Sequence, residues 1–333
     1  MSFQIILLFL KPIQHLLAAE TVSEIMVNPD SSVWIEESGA IQLLQGIRFA
    51  DGALLTGLEV IANKFGKKLD ADSPILNLRL PDGSRMAALI PPVVHPCPLL
   101  TIRKFTSRNF TMADLVERGM LTEDLASMLA ERIRRGDNIL ISGSTNSGKT
   151  TVLNMLADSI PRQERILVIE DTAELHLRQP HVVSAEAQLD THKNAVTFDG
   201  LLKASLRHRP DRIILGEVRG QEARTLLDAL NTGHRGSLST IHANSAESAL
   251  RRMAALAHRA SGHAMQNEIA DEVARCIDMV VHLERNVTGR RVQEVIAVEG
   301  YDLRSNRFLC SRLYQAQGSS SPPRGAPPTD QCA

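Results

Sequence analysis

Aromatic residues, paired cysteines and an excess of charge of either sign are scarce in this chain of 333 residues. Phe, Trp and Tyr make up 3% of it, too few for a surface on which single-stranded bases stack. A net charge of −1 gives no general attraction to nucleic acid, so we expect no specific nucleic-acid binding. The four cysteines form no C-x-x-C pair, which fits a reducing compartment and excludes a disulfide framework and a zinc site.

A long apolar run is also missing. Residues 3–10 are apolar, but Lys11 and Pro12 interrupt them well short of the roughly 20 residues that a membrane span needs. No basic region or small-residue cleavage site marks a signal peptide. We therefore expect this segment to be the end of a helix that packs on a core, with a peripheral membrane or partner contact as the alternative.

The strongest positive signal is a glycine-rich loop with the pattern G-x-x-x-x-G-K-T, preceded by an apolar strand and followed by a helix that Pro161 closes. Glycines let backbone N–H groups turn inward around an anion, and the N-terminus of the next helix adds positive charge. Lys149 would reach the β- and γ-phosphates of ATP, and the Thr150 hydroxyl would ligate Mg²⁺. The predicted nucleotide-contacting residues are Gly143, Ser144, Thr145, Asn146, Ser147, Gly148, Lys149, Thr150 and Thr151.

Two later strands end in acids, and hydrolysis requires acids beside a phosphate loop. Glu217 follows an apolar strand, as a Walker B acid does, and we expect it to hold Mg²⁺ through water. Glu174 lies just beyond another strand and could orient or deprotonate the attacking water. The carboxyl ends of parallel strands converge on one crevice, so we expect both acids near the loop. Either acid fits the general base, and a helix-cap or strand-end role is the alternative for each.

A histidine and several arginines are further candidates. His242 ends a strand beside Thr240 and Asn244, where it could sense the γ-phosphate, although a satisfied polar histidine is the simpler alternative. Arg207 belongs to a group of arginines around the second acidic strand, which either forms a solvated face or reaches phosphates across a subunit interface. Arg103, next to a lysine at a strand end, either is solvated or closes over the nucleotide.

The order of the elements predicts two domains. Residues 1–105 predict a small α+β domain with two hairpins and, between them, a helix over residues 41–65. Residues 106–121 are the predicted linker. Strands and helices alternate over residues 122–316, which predicts an α/β domain with a mostly parallel sheet. Residues 317–333 are rich in Pro, Gly and Ser, so we expect them to be disordered.

These motifs together resemble a known family. Residues 143–150, 170–174, 206–220 and 233–244 are similar, in that order, to the Walker A, Asp, Walker B and His boxes of bacterial motor ATPases. Those ATPases serve type II and type IV secretion and pilus assembly. Residues 24–36 resemble the family's N-terminal domain, and the likeness is greatest to conjugal-transfer ATPases of the TrbB kind.

The resemblance implies a RecA-like P-loop motor domain behind an N-terminal domain, with ATP and Mg²⁺ bound between them, in a homohexameric ring. It implies a cytoplasmic protein associated peripherally with the inner membrane. There it would work with other secretion or conjugation proteins, and ATP hydrolysis would drive pilus assembly or transfer of DNA or protein. By box position, Glu174 matches the catalytic acid, Glu217 the Walker B acid and His242 the His box. Arg103 and Arg207 match arginines that touch phosphate.

Two other functions use the same loop. A small-molecule kinase or phosphotransferase would need an acceptor site and a lid, and no lid-like insertion is evident in the sequence. The His box would also have no purpose in a kinase. A regulatory protein that binds ATP without hydrolysing it would be expected to lack one of the two acids, and both are present.

Overall fold

The computed structural model describes residues 3–37, 39–105, 110–187, 195–262, 265–286 and 289–316. The chain divides into two compact units, Met1–Arg108 and Asn109–Ala333. The predicted linker, residues 106–121, spans this boundary and contains a short helix, Met112–Glu117, which Thr111 caps. The predicted disordered tail, residues 317–333, lies outside the described residues.

The first unit is built on a six-stranded antiparallel sheet in the order β3-β2-β1-β6-β5-β4. Its strands are β1 (Val22–Val27), β2 (Val33–Glu37), β3 (Ala40–Leu44), β4 (Ile75–Arg79), β5 (Arg85–Leu89) and β6 (Leu99–Arg103). Its helices are α1 (Phe3–Phe9), α2 (Gln14–Ala18), which follows a 3₁₀ turn (Lys11–Ile13), and α3 (Ala53–Lys64). Alternate strand residues such as Ile25, Leu100 and Ile102 form one core with Leu58 and Ile61 of α3. The two predicted hairpins are therefore confirmed.

The N-terminal segment and the predicted long helix have different outcomes. Ile6 and Leu10 are buried in the core of the first unit, so the prediction that the apolar start packs on a core is confirmed. The helix predicted over residues 41–65 is wrong in its first half, because residues 40–44 pair with β2 as strand β3. Gly46 and Gly52 then adopt positive φ angles of 80° and 71°, and the helix begins only after Gly52.

The second unit is built on an eight-stranded sheet in the order β14-β13-β12-β7-β11-β10-β8-β9. Its strands are β7 (Ile139–Gly143), β8 (Ile166–Glu170), β9 (Val182–Glu186), β10 (Arg212–Leu215), β11 (Leu238–His242), β12 (Met279–Asn286), β13 (Gly289–Asp302) and β14 (Arg307–Gln315). The neighbours from β12 to β9 pair in parallel, and β13 and β14 add antiparallel pairs. This confirms the mostly parallel sheet.

Helices cover both faces of this second sheet. They are α4 (Met112–Glu117), α5 (Glu123–Arg134), α6 (Lys149–Ala157), α7 (Phe198–Ser205), α8 (Glu222–Asn231), α9 (Ala246–Ala260) and α10 (Gln266–Cys276). Ile139 and Ile141 of β7 pack in one core with α5 and α6, while Leu140 packs in the other with α8 and α9. The central strands are thus buried on both faces, which explains their continuous apolar sequences. None of the helices in the described part of the chain has both the length and the apolar character that a membrane crossing requires.

Candidate active site

The phosphate loop joins the buried strand β7 to helix α6. At Gly143 an added Cβ would lie 2.5 Å from Ser147 Oγ and 2.6 Å from the carbonyl oxygen of Leu283, so only glycine fits there. Asn146 and Gly148 have positive φ angles of 59° and 96°, which turn the chain into the helix. The predicted strand, loop and helix are confirmed, although the helix begins at Lys149 and ends at Ala157, a few residues before the predicted end.

Lys149 is held by the loop itself. Its Nζ donates hydrogen bonds to the carbonyl oxygens of Gly143 at 3.1 Å and Ser144 at 2.8 Å. Burial lowers the pKa of the Lys149 ammonium, and the Glu217 carboxylate opposes that shift. The ammonium is therefore fixed at the entrance of the loop, where a lysine of this motif meets the β- and γ-phosphates.

A chain of ionisable side chains connects the ends of the neighbouring parallel strands β8, β10 and β11 with Lys149. Arg219 donates from Nη1 to Asp171 at 3.1 Å and from Nη2 to Glu217 Oε2 at 2.8 Å. The other oxygen, Glu217 Oε1, lies 3.1 Å from His242 Nε2. His242 Nδ1 in turn lies 3.4 Å from Lys149 Nζ. The three predicted residues Lys149, Glu217 and His242 therefore form one contiguous group, which Arg219 extends to Asp171.

Burial favours the neutral form of His242. Burial lowers the pKa of its imidazole, and the charge of Lys149 lowers that pKa further. A neutral ring with its proton on Nε2 donates to Glu217 and accepts from the Lys149 ammonium at Nδ1, so one tautomer satisfies both contacts. Strand β11, which ends at His242, is also bonded to the residue before Glu217, because Thr240 Oγ1 donates to the carbonyl oxygen of Gly216 at 2.6 Å.

Glu170, the first residue of the Asp box, is a buried acid at the end of β8. Its Oε1 accepts the backbone N–H groups of Glu174 at 3.0 Å and Leu175 at 3.2 Å. Burial raises the pKa of Glu170 to about 7. Gly216 approaches it so closely that an added Cβ would lie 3.0 Å from Glu170 Cγ. Glu170 therefore positions the segment that carries Glu174, which is itself half-buried.

A cleft of about 460 Å³ opens beside the loop. It is lined by the loop residues Ser144 and Thr145, by residues 242–244 after β11, and by Ser248 and Arg252 of α9. His242 thus faces the same space as the start of the loop. Ser248 and Arg252 were not predicted from the sequence, because no motif includes them.

The predicted magnesium ligands fit a nucleotide-dependent site better than an all-protein one. Thr150 is half-buried in the first turn of α6, and Glu217 belongs to the series of contacts between Asp171 and Lys149 described above. In the described residues no group of three or more His, Cys, Asp or Glu side chains is arranged to hold a metal ion. A phosphate-loop site does not need such a group, because phosphate oxygens and water complete the coordination of Mg²⁺.

Arg207 does not join this group within one chain. It lies in a 3₁₀ turn, Leu206–His208, that precedes β10, whereas Glu217 follows β10. Arg207 and Glu217 therefore lie at opposite ends of that strand. The Arg207 side chain is exposed.

Arg103 belongs to the first unit. It ends β6, where it lies opposite Glu24 of β1 and Arg85 of β5. The adjacent Lys104 donates to the carbonyl oxygens of Leu16 and Ala19 at the end of α2, so that lysine caps a helix. Arg103, which is exposed, is the member of the pair that a ligand can approach.

Comparison with known proteins gives a family and a fold. The sequence profile of the family described as type II/IV secretion system protein matches residues 9–321. The conjugal transfer protein TrbB of Rhizobium radiobacter is 39% identical over 308 residues, which are 90% of each chain. The type IV secretion system protein VirB11 of Bartonella quintana is 31% identical over 328 residues, 87% of this chain and 92% of that protein.

Two solved structures share the fold. The pilus retraction motor PilT with bound ADP has a TM-score of 0.62 at 19% identity, over 87% of this chain and 81% of that one. The Legionella pneumophila ATPase DotB has a TM-score of 0.56 at 17% identity, over 92% of this chain and 79% of that one. This likeness confirms the predicted fold class, a RecA-like P-loop domain preceded by a smaller α+β domain.

Proposed function

The chain belongs to the type II/IV secretion system protein family, and we propose that it is the ATP-hydrolysing motor of a conjugal transfer or type IV secretion apparatus. The conjugal-transfer relatives support the choice within the family. The observation that carries the activity is the contact chain from Lys149 through His242 and Glu217 to Arg219. It joins the phosphate-binding lysine, the Walker B acid and the His box at the carboxyl ends of parallel strands, where ligands bind in such folds.

Binding of ATP uses the loop and the start of α6. Residues 143–151 surround the phosphates with backbone N–H groups, and Lys149 exchanges its bonds to loop carbonyls for bonds to phosphate oxygens. The Thr150 hydroxyl and, through water, Glu217 would hold Mg²⁺, which when bound would supply positive charge against the β- and γ-phosphates.

The two acids divide the work of hydrolysis. Both oxygens of Glu217 are engaged, one by Arg219 and one by His242, so Glu217 is suited to holding a hydrated ion in place. Glu174 comes from a separate segment whose backbone Glu170 fixes. We therefore propose that Glu174 is the general base that takes the proton of the attacking water. His242 would make the hydrogen bond that senses the γ-phosphate.

The motor works as a homohexameric ring. Arg207 lies across β10 from the acids of its own chain, so a phosphate that it touches belongs to a neighbouring subunit. Arg103, exposed at the end of β6, is a second arginine that we propose as a phosphate contact. The ring associates peripherally with the inner membrane through other proteins of the apparatus, to which relatives such as the VirB11 protein belong by name. With a net charge of −1, we expect no specific binding of nucleic acid by the chain itself.

The test combines phosphate release with sizing of the full chain, each with and without ATP and Mg²⁺. Wild-type protein should release phosphate and form a hexamer, while Lys149→Ala, Glu174→Gln and Glu217→Gln should each slow hydrolysis by about 100-fold or more. Lys203→Ala is the matched control, since this exposed lysine pairs with Asp199 on α7. Unchanged hydrolysis by Lys149→Ala overturns the site. A monomer that phosphorylates a small molecule overturns the motor in favour of a kinase.

A further inference from the structure

Arg252 of α9 lies in the cleft beside the phosphate loop. We propose that Arg252, together with Ser248, forms a subsite for the γ-phosphate of ATP beside His242, and that Arg252 contributes to the distinction between ATP and ADP. The proposal rests on the proposed function, since it requires a nucleotide in the loop.

The start of α9 is fixed directly behind the His box. Ser245 caps the helix, and its hydroxyl accepts the backbone N–H of Ser248 at 3.1 Å. The backbone N–H of Ala246 donates to Glu294 of β13 at 2.9 Å, which ties the helix end to the sheet. The helix is therefore held at both the cap and the first residue, and its side chains have a defined direction.

Burial then determines which face of α9 meets the cleft. Ala249, Leu250 and Met253 are buried in the core, so the opposite side of the helix is open. Ser248 and Arg252 are one helical turn apart and share a face. Both line the cleft, and the first loop residues Ser144 and Thr145 line its other wall. The guanidinium thus shares one space with the loop of its own chain.

The charges around the cleft favour the binding of an anion there. Within the described part of the chain, Arg252 has no hydrogen-bond or ion-pair partner. By contrast, the preceding Arg251 is paired with Glu247 at 2.7 Å on the outer side of the helix. The charges of Lys149 and Arg252 both lower the pKa of His242, so both act on the same point. A cation without a carboxylate partner that faces a phosphate loop is complementary to phosphate.

The position of Lys149 identifies which phosphate this is. A lysine of this motif reaches the β- and γ-phosphates, whereas loop N–H groups cradle the α- and β-phosphates. His242 lies beside the Lys149 ammonium and also lines the cleft, so the cleft adjoins the γ end of the site. ADP has no group there. A contact from Arg252 therefore strengthens the binding of ATP and leaves the binding of ADP unchanged.

Equilibrium binding of a non-hydrolysable ATP analogue and of ADP, each with Mg²⁺ and the full chain, tests this. Arg252→Gln should weaken the affinity for the analogue by about 10- to 100-fold, the range that a charge-assisted hydrogen bond supplies, and leave ADP affinity within about twofold. Arg252→Lys should restore part of the loss, and Ser248→Ala should show a smaller loss. Arg251→Gln is the matched control and should behave like the wild type.

The outcomes separate this inference from the proposed function. If Arg252→Gln weakens both nucleotides equally, or neither, Arg252 does not read the γ-phosphate and the inference is wrong. Retained ADP affinity shows at the same time that the variant is folded. If wild-type protein binds neither nucleotide, the proposed function itself fails, whatever the variants do.

Discussion

The ionisation of Glu170 is opposed by the fold, and this makes a quantitative prediction possible. The side chain is 4% exposed at the end of β8. Burial raises its pKa from 4.5 to about 7. The backbone N–H groups of Glu174 and Leu175 oppose this shift, while the charges of Glu174 and Asp171 add to it. The folded chain therefore keeps a proton that the unfolded chain releases between these two values.

The sign of the effect on stability follows from linkage. Because the pKa is raised in the folded state, the contribution is fully present below pH 4.5 and is lost as the pH rises through about 7. At about 1.4 kcal/mol per pKa unit, the loss in the free energy of unfolding between about pH 5.5 and about pH 8.5 is about 2 kcal/mol. Glu170→Gln removes this loss and keeps an oxygen that accepts the two N–H groups.

Urea denaturation of wild-type protein and Glu170→Gln at both pH values measures the effect. The difference between the two pH values should be about 2 kcal/mol smaller in the variant. Glu131→Gln, at an exposed acid on α5, controls for the general loss of one carboxylate. Equal pH dependence in wild type and Glu170→Gln would refute the reasoning, since it would mean that burial does not hold a proton on Glu170.

Two further predictions concern the strand that carries the phosphate loop. Gly143→Ala puts a Cβ within 2.6 Å of the Leu283 carbonyl oxygen. Thermal denaturation should therefore show a loss of about 1–3 kcal/mol in the free energy of unfolding, and nucleotide binding should weaken. A variant that is as stable and as active as the wild type contradicts this. Ser142→Ala removes the hydrogen-bond partner of the buried His282, whose Nδ1 lies 2.9 Å from Ser142 Oγ, and should cost about 1–3 kcal/mol in urea denaturation. A neutral result would show that His282 finds another partner.

Sequence reasoning worked where one short segment carries the whole signal. The phosphate loop needs its glycines, lysine and threonine at fixed spacing, so residues 143–150 could be identified directly. The first half of the helix predicted over residues 41–65 was wrong. Ile41, Leu44 and Ile47 have the spacing of a helical stripe, but residues 40–44 form a strand because they pair with β2. Tertiary pairing of this kind overrides local periodicity.

The missed elements lacked the usual local signals. Strand β9 is a sheet edge with Val183 partly exposed, so no buried apolar run marks it. Strand β14 forms the other edge of the sheet and is mostly exposed, so it also lacks a buried apolar run. Helix α10 begins after Met265, and no Ser, Thr, Asn or Asp stands at its N-cap to announce it.

The site was predictable by residue type but not by pairing. Arg219 and Asp171 are separated by 48 residues, and nothing local indicates that they bond. The acids Glu170, Asp171 and Glu174 lie within five positions, yet only the fold distinguishes the buried Glu170 from the other two. Ser248 and Arg252 carry no motif, and their role depends on how α9 packs.

The structure also sorts the arginines around the second acidic strand, which the sequence left as one group. Arg212 is buried against Glu164, and Arg209 lies 3.4 Å from Asp211, so both are committed within the chain. Arg219 holds Asp171 and Glu217, and this offsets the repulsion that two acids would exert on bound phosphates. Arg207 remains. It is exposed, and in the described part of the chain it has no partner, at the end of β10 opposite the acids. An arginine so placed lies away from the phosphate loop of its own chain, and in the ring that we propose it would meet the phosphates of a neighbouring subunit.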